Sequence, residues 1–103
     1  MDDVEAVNLF LRGQNLEQIG RVDEAADLYE QAVAARFDSA GPYDRLIAIY
    51  AGRARHGDVV RVARRALDDV RTHSDKRAWY ERMKAEAERA RARRPQAAPR
   101  RRR

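Results

Sequence analysis

Apolar positions recur at intervals of three and four from near the start of this chain to about residue 93, the spacing that gathers side chains on one helix face. No stretch keeps the strict alternation of a half-buried strand, so the pattern predicts an all-α fold of about five helices. Asp2 or Asp3 can cap a first helix over about 3–19 that carries Val4, Val7, Leu9, Phe10, Leu16 and Ile19 and ends at Gly20. A second, over about 22–36, places Val22, Ala25, Leu28, Tyr29, Ala32 and Val33 in one stripe and leaves its outer face charged.

Asp38-Ser39-Ala40-Gly41-Pro42 reads as a break followed by a start, because proline fits the first helical turn. The third helix follows, with Tyr43, Leu46, Ile47, Ile49 and Tyr50 on a broad apolar face. His56-Gly57-Asp58 supplies a turn in which Asp58 can cap a fourth helix, running to about 72 with Val59, Val60, Ala63, Ala66, Leu67 and Val70 inward. Ser74 or Asp75 caps a fifth, whose apolar content thins from Trp79, Tyr80 and Met83 to alanines alone. The expected organisation is a helical domain over 1–93, closed by a capping helix from about 75, and a basic, disordered tail over 94–103.

Leu9-x2-Arg12-Gly13-x2-Leu16 and Tyr43-x2-Leu46-Ile47-x2-Tyr50 overlay at an offset of 34 residues, and the first copy continues with Gly20, Ala25-x3-Tyr29 and Ala32. On these residues the chain resembles the tetratricopeptide repeat family over roughly 5–71. The resemblance implies antiparallel hairpins stacked as a short α-solenoid, with Gly13 and Ala25 small where two helices approach closely and Tyr29 filling the gap to the next hairpin. Ile47 departs from the family's glycine and Phe37 from its frequent proline. In the second copy Ala63-x3-Leu67-x2-Val70 matches at 38 residues rather than 34, which implies four added residues, close to one helical turn. Only two repeats are visible where stacks ordinarily need about three, so Trp79, Tyr80 and Met83 are expected to cover the exposed end.

The net charge of +5 is spread unevenly along the chain. Residues 1–44 hold ten acids against Arg12, Arg21 and Arg36, whereas residues 82–103 hold ten basic residues against Glu86 and Glu88. Such a gradient points to an electrostatic partner for the basic end or to head-to-tail contact between copies. The chain has no cysteine, so disulfide and thiolate-metal frameworks are excluded. Neither a signal-peptide run nor a membrane-spanning stretch occurs, and a cytoplasmic location without integral membrane contact is expected.

Candidate chemistry is sparse. His56 and His73 stand near helix ends, Asp68 and Asp69 point in different directions, Asp23 and Asp27 read as a solvated helix start, and Ser39 and Ser74 read as caps. No catalytic group, metal site or cofactor is expected from these patterns. The family resemblance implies instead a protein or peptide partner in a groove lined by Phe10, Gln14, Glu17, Gln18, Asp44, Ala48 and Ala51. Arg53, Arg55, Arg61, Arg64, Arg65 and Arg71 form a second candidate surface, suited to acidic groups. The alternative function is weakly sequence-specific nucleic-acid binding through Arg89, Arg91, Arg93, Arg94, Arg100, Arg101, Arg102 and Arg103, which can neutralise phosphates but have no aromatic neighbours for base stacking.

Overall fold

A capping box opens the first helix, and left-handed residues close the first three. The computed structural model describes residues 2–71 and 74–97, with the side chains of 74 and 94–97 outside that description. Helix α1 spans Asp3–Gln18, α2 Val22–Ala34, α3 Ala40–Gly52, α4 His56–Asp69 and α5 Arg77–Ala97, the last entered through a 3-10 turn over Ser74–Lys76. No strand occurs among the described residues, so the fold is all-α, as the periodicity predicts. Asp2 opens α1 with a capping box: its carboxylate accepts from the Glu5 amide at 2.8 Å, and the Glu5 carboxylate accepts from the Asp2 amide at 3.3 Å.

The first three helices end alike. The residue after each C-cap is left-handed, Gly20 at φ 86°, Arg36 at φ 60° and Ala54 at φ 57°. The Gly20 and Arg21 amides donate back to Glu17 and Leu16, those of Arg36 and Phe37 to Val33 and Ala32, and those of Ala54 and Arg55 to Ala51 and Tyr50. This is the Schellman arrangement, which satisfies carbonyls left open at a helix end. Glycine adopts that backbone freely, whereas an L-residue costs about 1–2 kcal/mol. Ala54→Gly is therefore expected to raise stability by about 1 kcal/mol in urea unfolding, and Gly20→Ala to lower it by a similar amount.

Those turns set the repeat register. Val22 and His56 open α2 and α4 at the same 34-residue offset that relates Gly20 to Ala54, and the Arg21–Glu24 ion pair recurs as Arg55–Asp58. The four-residue insertion expected in the second hairpin is thus absent from its turn. Val59 occupies the position equivalent to Ala25, and Ala63 that of Tyr29. Bulk has changed helices between the copies. In the first hairpin a Cβ on Gly13 would lie 2.5 Å from the Tyr29 ring; in the second, the equivalent residues are Ile47 and Ala63, both fully buried. This exchange accounts for isoleucine where the repeat pattern has glycine, and for the misleading match at 38 residues.

Each helix packs on its successor in the chain, and longer connections sort them into two layers. Phe10 of α1 sits over Gly41 of α3, Glu17 of α1 pairs with Arg45 of α3, and Asp44 of α3 reaches Tyr80 of α5. On the other side Arg61 of α4 pairs with Glu30 of α2, while Arg65 donates to the Val33 carbonyl at 2.9 Å. Tyr29, Tyr43, Leu46, Ile47, Val59, Val62 and Tyr80 fill the core between the layers, and Trp79 and Met83 pack at its rim. The body measures 55 × 31 × 19 Å.

Several local expectations need correction. Val4, Val7 and Ile19 face outward rather than into the core, because Ala6 and Gly13 define the face α1 turns to α2. Asp58 lies inside the first turn of α4, whose N-cap is Arg55. That helix stops at Asp69, where Val70 turns extended, rather than near 72. His56 opens α4 instead of closing α3, and Ser39 is the α3 N-cap without a side-chain cap bond. Helix α5 continues through Pro95 to Ala97. His73 and residues 98–103 lie outside the described residues. No helix among the described residues is long and apolar enough to cross a membrane.

Candidate partner-binding face

All four tyrosines place their hydroxyls on carboxylates, and every one of those carboxylates also holds a cation. Tyr29 donates to Glu17 at 2.7 Å, and Glu17 accepts two guanidinium bonds from Arg45. Tyr50 donates to Glu30, which accepts from Arg61 at 2.7 and 3.0 Å. Tyr80 donates to Asp44 at 2.9 Å, with the Lys76 ammonium 2.8 Å from the other oxygen. Tyr43 donates to Asp69 at 3.1 Å, beside Arg36 at 3.1 Å and Arg65 at 3.4 Å. A buried hydroxyl needs an acceptor, and a part-buried carboxylate needs a cation; each unit satisfies both.

The electrostatics follow from these partners. Burial, reinforced by the neighbouring carboxylate, pushes Tyr29, Tyr43 and Tyr80 well above the usual phenol range and Tyr50 up to about 12, so all four remain donors. Hydrogen bonding from Arg45 holds Glu17 below its ordinary value. At Glu30 burial acts upward, but the bonds from Arg61 and Tyr50 outweigh it and the net shift is downward. A carboxylate with a depressed folded pKa stabilises fully above its unfolded value, 4.5, and loses that contribution as pH falls through the folded value. Melting temperature is expected to stay level from pH 7 to about 5 and fall below it. Glu17→Gln combined with Glu30→Gln should flatten that acid limb in thermal circular dichroism.

These units use much of the charge that the sequence offers as free surface. Arg53 pairs with Asp23, Arg55 with Asp58, Arg61 with Glu30 and Asp58, Arg64 with Glu88, and Arg65 with Asp69. The basic surface expected there is largely neutralised from within by acids of the same chain. Arg71 contributes its backbone amide to Asp38 at 2.8 Å. Asp69, only 6% exposed, is the residue that sequence reasoning missed. Its signal was slight: in the helical register it follows the inward residues Val62, Ala63 and Ala66, whereas Asp68 points outward.

The seven groove positions divide by role. Phe10 is committed to Gly41 and to Tyr29, whose ring centroid lies 5.8 Å away; Glu17 and Asp44 join neighbouring helices. Ala48 and Ala51 are exposed on α3. Gln14 and Gln18 line, with Glu17 and Arg45, an open recess of about 280 Å³ between α1 and α3. Ala51 also borders an apolar hollow of about 220 Å³ among His56, Val59, Met83, Ala87 and Ala90. Of the nucleic-acid positions, Arg89, Arg91 and Arg93 are exposed on α5; Arg94 lies on the same helix with its side chain undescribed, and Arg100, Arg101, Arg102 and Arg103 lie outside the described residues. No group of three or more metal-ligating side chains occurs among the described residues. No family model, curated protein or solved structure matches this chain.

Proposed function

We propose that this chain is a non-catalytic, cytoplasmic protein-interaction module of tetratricopeptide-like build, receiving a protein or peptide across the face shared by α1, α3 and α5. The open recess lined by Gln14, Glu17, Gln18 and Arg45 carries this reading, since three of its four residues are groove positions in the family pattern. Its chemistry suits an extended peptide: two carboxamides each donate and accept, Arg45 keeps part of its guanidinium exposed, and the small Ala48 and Ala51 let a backbone lie close to α3. Affinity capture from native lysate tests it. The captured protein should survive nuclease and deletion of 95–103, and be lost with Ala48→Arg or with Gln14→Ala combined with Gln18→Ala. Retention by both groove variants would refute the assignment.

A second reading has its own observation. Arg82, Arg89 and Arg93 follow at seven and four residues, so they line one exposed face of α5, and none has an ion-pair partner among the described residues. Such a ridge can follow a phosphate backbone without reading bases. Under this reading oligonucleotide affinity falls steeply with salt, and the log–log slope shrinks when these arginines are replaced.

A further inference from the structure

The two ends of the helix stack are unlike, and their differences match. At one end α1 turns Val4, Val7 and Leu11 to solvent, exposed by 69%, 41% and 49%. Their spacing of three and four makes them one ridge about 10 Å long. A helix face of this kind is ordinarily covered by a neighbour. Residues 2–12 around it carry Asp2, Asp3 and Glu5 against Arg12 alone, a net charge of −2. At the other end α5 carries seven basic residues and three glutamates over 77–97, a net charge of +4. Its outer surface presents the arginine line 82, 89 and 93 beside Ala78, Ala85 and Ala92, of which 78 and 92 are exposed and 85 is half-buried.

We infer that the α1 ridge of one molecule docks on the outer face of α5 of a second copy, joining copies head to tail. The inference uses edges of the stack and does not depend on the recess between α1 and α3. Charge selects this polarity: pairing α1 with α1 would bring two acidic ends together, and pairing α5 with α5 two basic ones. Bulk supports it as well, since Val4, Val7 and Leu11 can settle over alanines but meet longer side chains elsewhere on α5. Each copy would add an α1 beside an α5, as α1 lies beside α3 and α3 beside α5 within the molecule. A contact between two different surfaces leaves one of each free, so assembly continues beyond the dimer unless it closes into a ring.

Sedimentation velocity of the full chain decides the matter. Average mass should rise past the dimer with concentration and fall as salt is raised from about 50 to 200 mM. Leu11→Glu alone should be monomeric, as should the triple variant Arg82→Glu, Arg89→Glu, Arg93→Glu. Their equimolar mixture should form a dimer and nothing larger, since only one intact head and one intact tail remain per pair. Val7→Ser, too mild to disturb folding, should weaken association about tenfold, and Ala48→Arg should leave it unchanged. A wild-type monomer up to about 1 mM would overturn the inference and leave the ridge to a different partner. So would a triple variant that still dimerises by itself, which indicates α1 against α1, or a mixture of folded variants that stays monomeric.

Discussion

Asp69→Ala is expected to lower stability by about 3 kcal/mol, the largest loss from any single carboxylate of this protein. The carboxylate is buried beneath the end of α4, where Tyr43 of α3 donates to one oxygen and Arg36, just past α2, donates to the other. Truncation leaves the Tyr43 hydroxyl, fully enclosed, without its acceptor and removes the anion opposite Arg36 and Arg65. The two arginines are partly solvated, so they recover some hydration, and the estimate sits at the lower end for broken buried pairs. Asp69→Asn should cost less, because the amide oxygen still accepts from Tyr43. The companion Tyr43→Phe in the Asp69→Ala background should restore part of the loss by removing the stranded donor. Urea denaturation of the three variants measures all of these effects; equal stability of Asp69→Ala and wild type would show that the unit is not coupled to folding.

Gly13→Leu should destabilise by about 3 kcal/mol, the upper range for overpacking a closed core. Even the first carbon added at Gly13 would stand 2.5 Å from the Tyr29 ring. That ring cannot retreat cheaply, because it is fully buried and its hydroxyl is held by Glu17. The exchange of bulk between the hairpins supplies a sharper version of the test. Gly13→Ile combined with Tyr29→Ala copies the Ile47 and Ala63 arrangement of the second hairpin, and should be more stable than Gly13→Ile alone. Chemical denaturation of the single and double variants reads this coupling directly; strict additivity would mean that the two positions do not share a space.

Much of this architecture was legible in the sequence because it rests on local rules. The periodic apolar stripes, the Asp2 cap, the Gly20 stop and the Ser39 start are short-range features, and the helices form within a few residues of where those features place them. The stops at Arg36 and Ala54 were harder to see, since arginine and alanine carry no preference for the left-handed backbone they adopt. The repeat register was hidden by the opposite distribution of large and small residues in the two hairpins. At Val4 and Val7 periodicity could not say which of two candidate faces α1 buries, because that depends on where α2 packs.

The candidate face was legible only in part. Gln14 and Gln18 are groove positions that the family resemblance alone implies, and they line the recess. Phe10, Glu17 and Asp44, nominated by the same logic, are held by Gly41, Arg45, Tyr80 and Lys76, partners 28 to 36 residues away in the chain. Pairings at such separations leave no periodic trace. The same holds for the charge gradient, much of which is neutralised by ion pairs between the acidic first hairpin and the arginines that follow it.

Site-specific photo-crosslinking in native lysate reports which face of the protein a partner touches. A benzophenone amino acid placed at position 48, on the exposed face of α3, is compared with one at position 68, on the outer surface of α4. The proposed face predicts a discrete protein adduct from position 48 that persists after nuclease treatment and is absent from position 68. An adduct formed at 68 but not at 48 would contradict it.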